Sequence, residues 1–499
     1  MQRTQSEFPK DTNITTIQQL FKTLGDSSDF VRYPIHESDN AMWVSFFRTM
    51  LDGNIAQRDF LPYLKEAQVT SLEELQQLLP LEVMEIISDL EKIQLLIVKG
   101  YAAVQLREYD ERFLLVKVSS DTYRTSATAI NESTIVGPQE AFIEDIDTNI
   151  KLVRKRLPLP YLKTTGLDVG TISKTNVVVM YLDGIADPVN VQTILQKLQA
   201  ITFDQILDSS YIEQMLEDNT HSIFPLFMNT ERPDRVASAL GAGKVAIFVD
   251  GSPSVIMAPT TFLDFFVSTE DYNVSWIIGT SFRLLRLIAL IFSVFATPLY
   301  VAIMTFHYEL IPRDLLQTLI SSRSTVPFPP FLEALFLEVI IELLREASTR
   351  LPVKIGQSLG VVGGIVVGQA TVQAGLSSNI LIIFVALSAL SAFTSPLYKV
   401  GFTIRFIRFL LLVLAQAWGM LGIAIGFLFI VTHMLRLSSL GRPYTGVVPF
   451  RKQHLLDTWI RLPFFKQTKR TSQTSSPHPN RTTVEDYSHL KPRTDFDEW

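Results

Sequence analysis

Cysteine is absent from the 499 residues, which excludes disulfides, thiolate metal sites and a thiol nucleophile together. Histidine is scarce: the seven residues are scattered, with no H-E-x-x-H or other paired spacing to gather them on a metal. His307, just past a hydrophobic run, reads as an interfacial side chain. No G-x-S-x-G elbow occurs. The string LGAGKVAIF (240–248) fails the phosphate-loop pattern twice, because Ser238 stands where the first glycine belongs and Val245 follows Lys244. It reads as a turn before a strand. The opening twenty residues lack an apolar stretch and do not resemble a cleaved export signal. With no catalytic pair, cofactor motif or metal site, the chain reads as non-enzymatic.

Long uncharged runs are missing from the first 281 residues and crowd the remainder. The first 281 carry 23 Lys and Arg against 38 Asp and Glu, a net of −15; residues 282–499 carry 21 against 12, a net of +9. An acidic N-terminal region is a poor electrostatic match for nucleic acid, so no nucleic-acid partner is expected. Together with 47% hydrophobic residues, this predicts an N-terminal soluble α/β region of two subdomains followed by an α-helical transmembrane domain of four to five helices, an α+β fold joined to a helical membrane fold. The expected boundaries are a polar tail over 1–37, soluble subdomains over 38–157 and 158–275, a transmembrane domain over 282–434, and a basic tail over 435–499, disordered after Thr471.

Within the first subdomain the patterning predicts short helices over 39–50, 72–79 and 81–90, strands at IQLLIV (93–98) and FLLVKV (113–118), and a helix over 139–156. In the second it predicts a strand over 175–182, a helix over 189–200, a helix over 234–240, and strands over 244–250 and 254–257.

Four uncharged runs follow, at 287–306, 355–375, 376–398 and 409–432. Each is long enough to cross a hydrocarbon core of about 30 Å. Arg283 and Arg286 precede the first, and residues 435–470 hold eight Lys and Arg against Asp457 alone, so both flanks are expected on the cytoplasmic side. Four crossings satisfy that parity. They leave Lys399, Arg405 and Arg408 outside, which the charge rule disfavours.

The segment 327–356 interrupts these runs with Glu333, Glu338, Glu342, Arg345, Glu346 and Arg350. It reads as a helix between proline turns, with Glu338, Glu342, Arg345, Glu346 and Arg350 inside an arc of about 140°. Glu342 with Arg345, and Glu346 with Arg350, have pairing spacing. Two readings stand: an amphipathic helix on the membrane surface, or one lining a water-filled or ion-conducting space between subunits. The following run carries Gly360, Gly363, Gly364 and Gly368, spaced for close helix approach.

Several stretches together resemble the A subunits of the GerA-type spore germinant receptors: 132–160 (ESTIVGPQEAFIEDIDTNIKLVRKRLPLP), 230–259 (TERPDRVASALGAGKVAIFVDGSPSVIMAP), 269–273 (TEDYN) and 326–375 around the charged helix. The similarity runs from about 40 to 450, with looser matches at 127–131 and 143–145. The resemblance implies a multi-pass protein of the spore inner membrane with its N-terminal domain facing the core. Its implied partners are a transporter-like nutrient-binding B subunit and a lipoprotein C subunit. It also implies an oligomer whose A subunits surround an ion path, through which nutrient binding triggers ion release. The alternative is a secondary transporter, disfavoured by the small number of spans and the lack of a repeated half; a membrane-tethered enzyme comes third.

Overall fold

The computed structural model describes residues 14–35, 42–67, 69–119, 129, 132, 134, 136–350, 353–446, 459–470 and 476–481. Most of the expected disordered tail, and the loosely matching 127–131 apart from Ala129, lie outside them.

The first sheet has strands β1 (Phe30–Pro34), β2 (Trp43–Phe47), β3 (Met84–Ile87), β4 (Tyr101–Gln105) and β5 (Phe113–Lys117), ordered β1-β2-β4-β5-β3 with every pairing antiparallel. Side chains alternate across a strand, so Phe113 and Leu115 pack with Leu20, Leu24, Ile93 and Ile97 from helices α1 (Ile17–Gly25) and α5 (Leu90–Val98). Leu114 and Val116 meet Phe60, Leu64, Leu72 and Leu75 on the other face, around the one-turn α2 (Gly53–Ile55), α3 (Leu61–Glu66) and α4 (Leu72–Leu78).

Four local expectations are corrected here. Residues 39–50 and 81–90, read as helical, contain β2 and β3. IQLLIV, read as a strand, belongs to α5: the Asp89 side chain accepts from Glu91 N at 3.1 Å, and Ile93 and Ile97 bury one helical face. The supposed tail supplies α1 and β1, which complete this domain's core.

Helix α6 (Ile146–Arg156) begins seven residues later than expected, where Asp145 caps it by accepting from Thr148 N at 2.9 Å. The second sheet is also wholly antiparallel, with β6 (Leu162–Val169), β7 (Thr175–Leu182), β8 (Met228–Thr230), β9 (Val245–Val249) and β10 (Val255–Ala258) in the order β6-β7-β9-β10-β8. Helices α7 (Pro188–Gln199), α8 (Ser209–Leu216), α9 (Pro233–Gly241) and the short α10 (Glu270–Asn273) complete it. The two sheets are tied by the buried pair Asp29–Arg154 at 2.6 Å, with Thr49 and Thr164 hydroxyls donating to the same carboxylate.

The helical half contains α11 (Trp276–Phe306), α12 (Arg313–Arg323), α13 (Pro330–Thr349), α14 (Val353–Gln373), α15 (Asn379–Ala392) and α16 (Tyr398–Arg436). Within α16, Trp418 and Gly419 leave helical geometry, Gly419 with φ 58° and ψ −137°, and the chain doubles back. Both ends of α16 therefore return to the second sheet domain. Lys399 pairs with Glu213 at the start, and beyond the end Ser438 Oγ donates to Asp218 at 3.1 Å while Arg442 pairs with Asp187. The turn itself lies against Phe306 and His307, at the opposite end of α11.

Gly422 and Gly426 let the two arms close. A methyl group on Gly422 would sit 2.0 Å from Leu414 O, and one on Gly426 would sit 2.6 Å from Leu411 Cδ2. The run 409–432, expected to cross in one pass, is thus two antiparallel arms. Together with α11, α13, α14 and α15 they make six antiparallel segments among the described residues. Trp276–Phe306 is long and apolar enough to cross a membrane, the folded-back 399–436 segment is apolar along both arms, and α15 is a shorter apolar helix.

Candidate functional site

The carboxylates of α13 descend the bundle in register with partners on its neighbours. Glu333, near the start of α13, is buried and accepts Ser378 N at 2.5 Å and Ser377 Oγ at 3.3 Å, with Arg323 Nη2 at 3.7 Å. Ser378 is also the N-cap of α15, accepting from Leu381 N, so one carboxylate fixes the entry of another helix. Five residues on, Glu338 lies 2.6 Å from Arg408, both side chains at most 2% exposed.

Four helices meet at that pair. Thr297 of α11 donates to Glu338 Oε1 at 3.0 Å, Arg408 Nη1 donates to Ser388 Oγ of α15 at 2.7 Å, and Ser388 Oγ donates to Ser293 O at 2.9 Å. Next along α13, Glu342 pairs with Arg405 at 3.1 Å and with Arg345 on its own helix. As α13 advances from 338 to 345, its contacts on α16 retreat from Arg408 to Arg405 to Phe402. Helix α13 therefore runs antiparallel to that arm, lengthwise within the bundle, and does not lie across its end as the membrane-surface reading would place it.

The Lys399, Arg405 and Arg408 cluster is thereby resolved. Lys399 reaches the soluble domain, and the two arginines face α13. Sequence reasoning missed Arg405 and Arg408 as partners, along with Thr297, Ser377, Ser378 and Ser388. A usable signal was present, since two arginines three apart at the head of an apolar helix need acidic partners nearby.

The last pair differs. Glu346 and Arg350 bond each other at 2.6 Å, as their spacing predicts, but their side chains are 61% and 78% exposed. The glycines of α14 also divide. A methyl group on Gly363 would meet Leu344 Cδ2 at 3.3 Å, whereas at Gly364 and Gly368 it would meet nothing within 4 Å. Among the described residues those two serve no helix contact. Gly360 falls in α14, and its packing lies outside the described residues. Among the described residues no group of three or more acidic or imidazole side chains is arranged to hold a metal.

Outside the bundle, burial and the Glu213 carboxylate push the Glu217 carboxyl up to about 7. At the joint between the sheets, burial alone would raise Asp29, but the Arg154 charge and the bonds from Arg154, Thr49 and Thr164 outweigh it and hold the carboxyl below its usual range.

The comparisons with known proteins cover almost the whole chain. Residues 17–473 match the family described as Bacillus/Clostridium GerA spore germination protein. Spore germination protein GerIA of Bacillus cereus is 50% identical over 98% of this chain and 74% of its own length. Spore germination protein GerQA of the same organism is 48% identical over 98% of both chains. The crystal structure of the N-terminal domain of the A subunit of the Bacillus megaterium spore germinant receptor GerK3 matches with 28% identity and a TM-score of 0.37, over 49% of this chain and 93% of that one. This chain belongs to the GerA spore germination protein family.

Proposed function

We propose that this protein is a membrane subunit of a nutrient germinant receptor and couples nutrient sensing to the ion release that starts spore germination. The observation that carries the reading is the similarity over 98% of the chain to two proteins named for spore germination. The bundle supplies the physical route. Its six antiparallel segments are read as six membrane passes, with α11, α14 and the first arm of α16 leaving the soluble domain and α13, α15 and the second arm returning. An even number keeps both flanks on one side, and the basic residues beside α11 and after α16 make that side the cytoplasmic, core-facing one.

Charged side chains inside a bilayer are costly unless paired or facing water. Glu333, Glu338 and Glu342 have partners within the chain and set the position of α13. Glu346, Arg350, Gly364 and Gly368 are left on an outer face for a neighbouring copy or a conducting space. Several copies surrounding an ion path are proposed, together with a nutrient-binding B subunit and a lipoprotein C subunit. No catalytic step is assigned.

Deletion of the gene, with complementation by the intact chain, tests the reading. Spores lacking it should fail to release monovalent cations after addition of the nutrients that trigger the complemented strain. Equal release from both strains would overturn the assignment.

A further inference from the structure

A second site lies where the soluble domain meets the bundle, away from the charged helix. A cavity of about 240 Å³ is lined by Glu132, the α8 start at Asp208 to Ser210, Asn229 and Thr230 of β8, Glu231, Ser254, Phe227, Phe265, and Leu397 and Lys399 leading into α16. Most of its polar atoms are satisfied. Ser252 Oγ donates to Asp208 Oδ1 at 2.5 Å, and Ser210 donates to Oδ2 through its N and Oγ. Lys399 is paired with Glu213.

Two acceptors are not. The Glu132 side chain is 8% exposed; its Oε2 takes bonds from Thr230 Oγ1 and Arg235 Nη1, both at 3.1 Å, while Oε1 is buried with no partner among the described residues. Asn229 Nδ2 donates to Glu213 Oε2 at 2.6 Å, which fixes the amide's orientation and leaves its buried Oδ1 without a donor. A buried acceptor left unbonded costs about 1–3 kcal/mol. Both unpartnered oxygens belong to residues that line one cavity, and both call for N–H or O–H donors.

We infer that this cavity binds a small organic ammonium ion, its N–H groups donating to Glu132 Oε1 and Asn229 Oδ1 and its alkyl part against Phe227 and Phe265. The charge balance agrees: Glu132, Asp208, Glu213 and Glu231 stand in or behind the walls against Arg235 and Lys399. A bare divalent metal does not fit, because the carboxylates do not converge as a metal-binding group. The volume lies below the roughly 300–1,000 Å³ of drug-sized pockets, which sets the ligand near the size of an amino acid or short amine. Because Leu397 and Lys399 form part of the wall, occupancy bears on the root of α16. The inference is independent of the ion-release reading, since it is tested by binding alone.

The test is calorimetric titration of the full chain in detergent with n-butylammonium, alongside n-butanol and potassium chloride. Saturable butylammonium binding is expected, without binding of the alcohol or of potassium. Glu132→Gln should weaken it at least tenfold. Ser254→Phe, which places a ring in the cavity and leaves both acceptor residues unchanged, should abolish it at an unchanged melting temperature. Should Glu132→Gln fail to fold, Ser254→Phe decides alone. Absence of saturable binding, equal binding of butanol or potassium, or undiminished binding in Ser254→Phe would overturn the assignment.

Discussion

Arg408 Nη2 lies 2.6 Å from Glu338 Oε2, with both side chains withdrawn from the surface of the bundle. The pair joins α16 to α13, and through Thr297 and Ser388 it also engages α11 and α15. Removing one member leaves a buried charge uncompensated, at a cost of about 3–5 kcal/mol. Arg408→Gln and Glu338→Gln are each expected to lower the melting temperature and the amount of chain in spore membranes. The combination Glu338→Leu with Arg408→Met should recover much of both, since a well-packed apolar replacement is often neutral. Full stability of either single variant would show that the pair does not organise the bundle.

The hairpin in α16 makes a sharper steric prediction. No conformational adjustment of a neighbouring side chain relieves a methyl group 2.0 Å from a backbone oxygen, so Gly422→Ala must separate the two arms. A methyl group at Gly364 meets none of the described residues within 4 Å, so Gly364→Leu should leave the isolated subunit's melting temperature unchanged. Comparison of the two variants by thermal melting and by pull-down of receptor partners separates an internal glycine from one reserved for a neighbour: the first should lose stability, the second assembly.

Much of this was legible in sequence, and the failures share a physical cause. The buried strands at 175–182 and 245–249, and the Glu346–Arg350 pair, depend on local pattern and were read correctly. IQLLIV was misread because an uninterrupted apolar run fits a buried strand and a buried helix equally well. Arg345, the partner of Glu342 on its own helix, follows the spacing rule, but Ser378, Arg408 and Arg405, which Glu333, Glu338 and Glu342 meet on other helices, lie 45, 70 and 63 residues away along the chain, beyond any such rule. The turn at Trp418 and Gly419 was hidden in a run whose length alone suited a single span; Gly419, Gly422 and Gly426 were the overlooked sign.

Glu217 gives a pH prediction. Its folded-state carboxyl is raised from 4.5 to about 7 by burial and by Glu213, so the folded state holds this proton more tightly than the unfolded chain. Its contribution to stability is therefore complete below about 4.5 and is lost as the pH rises through about 7. Melting of the full chain between pH 5 and 8 should fall with pH more steeply than in Glu217→Gln. Parallel curves would remove Glu217 from the account.

Cation efflux from spores carrying changes at Glu346 and Arg350 tests the central claim most directly. An exposed i,i+4 pair contributes only about 0.3–0.5 kcal/mol, so Glu346→Gln and Arg350→Gln should leave subunit levels intact. If that face of α13 borders a neighbouring copy or the conducting space, each single variant slows nutrient-triggered efflux several-fold. The exchange of Glu346→Arg with Arg350→Glu restores part of it. Efflux at the unmodified rate in both single variants, at normal subunit levels, would contradict the account.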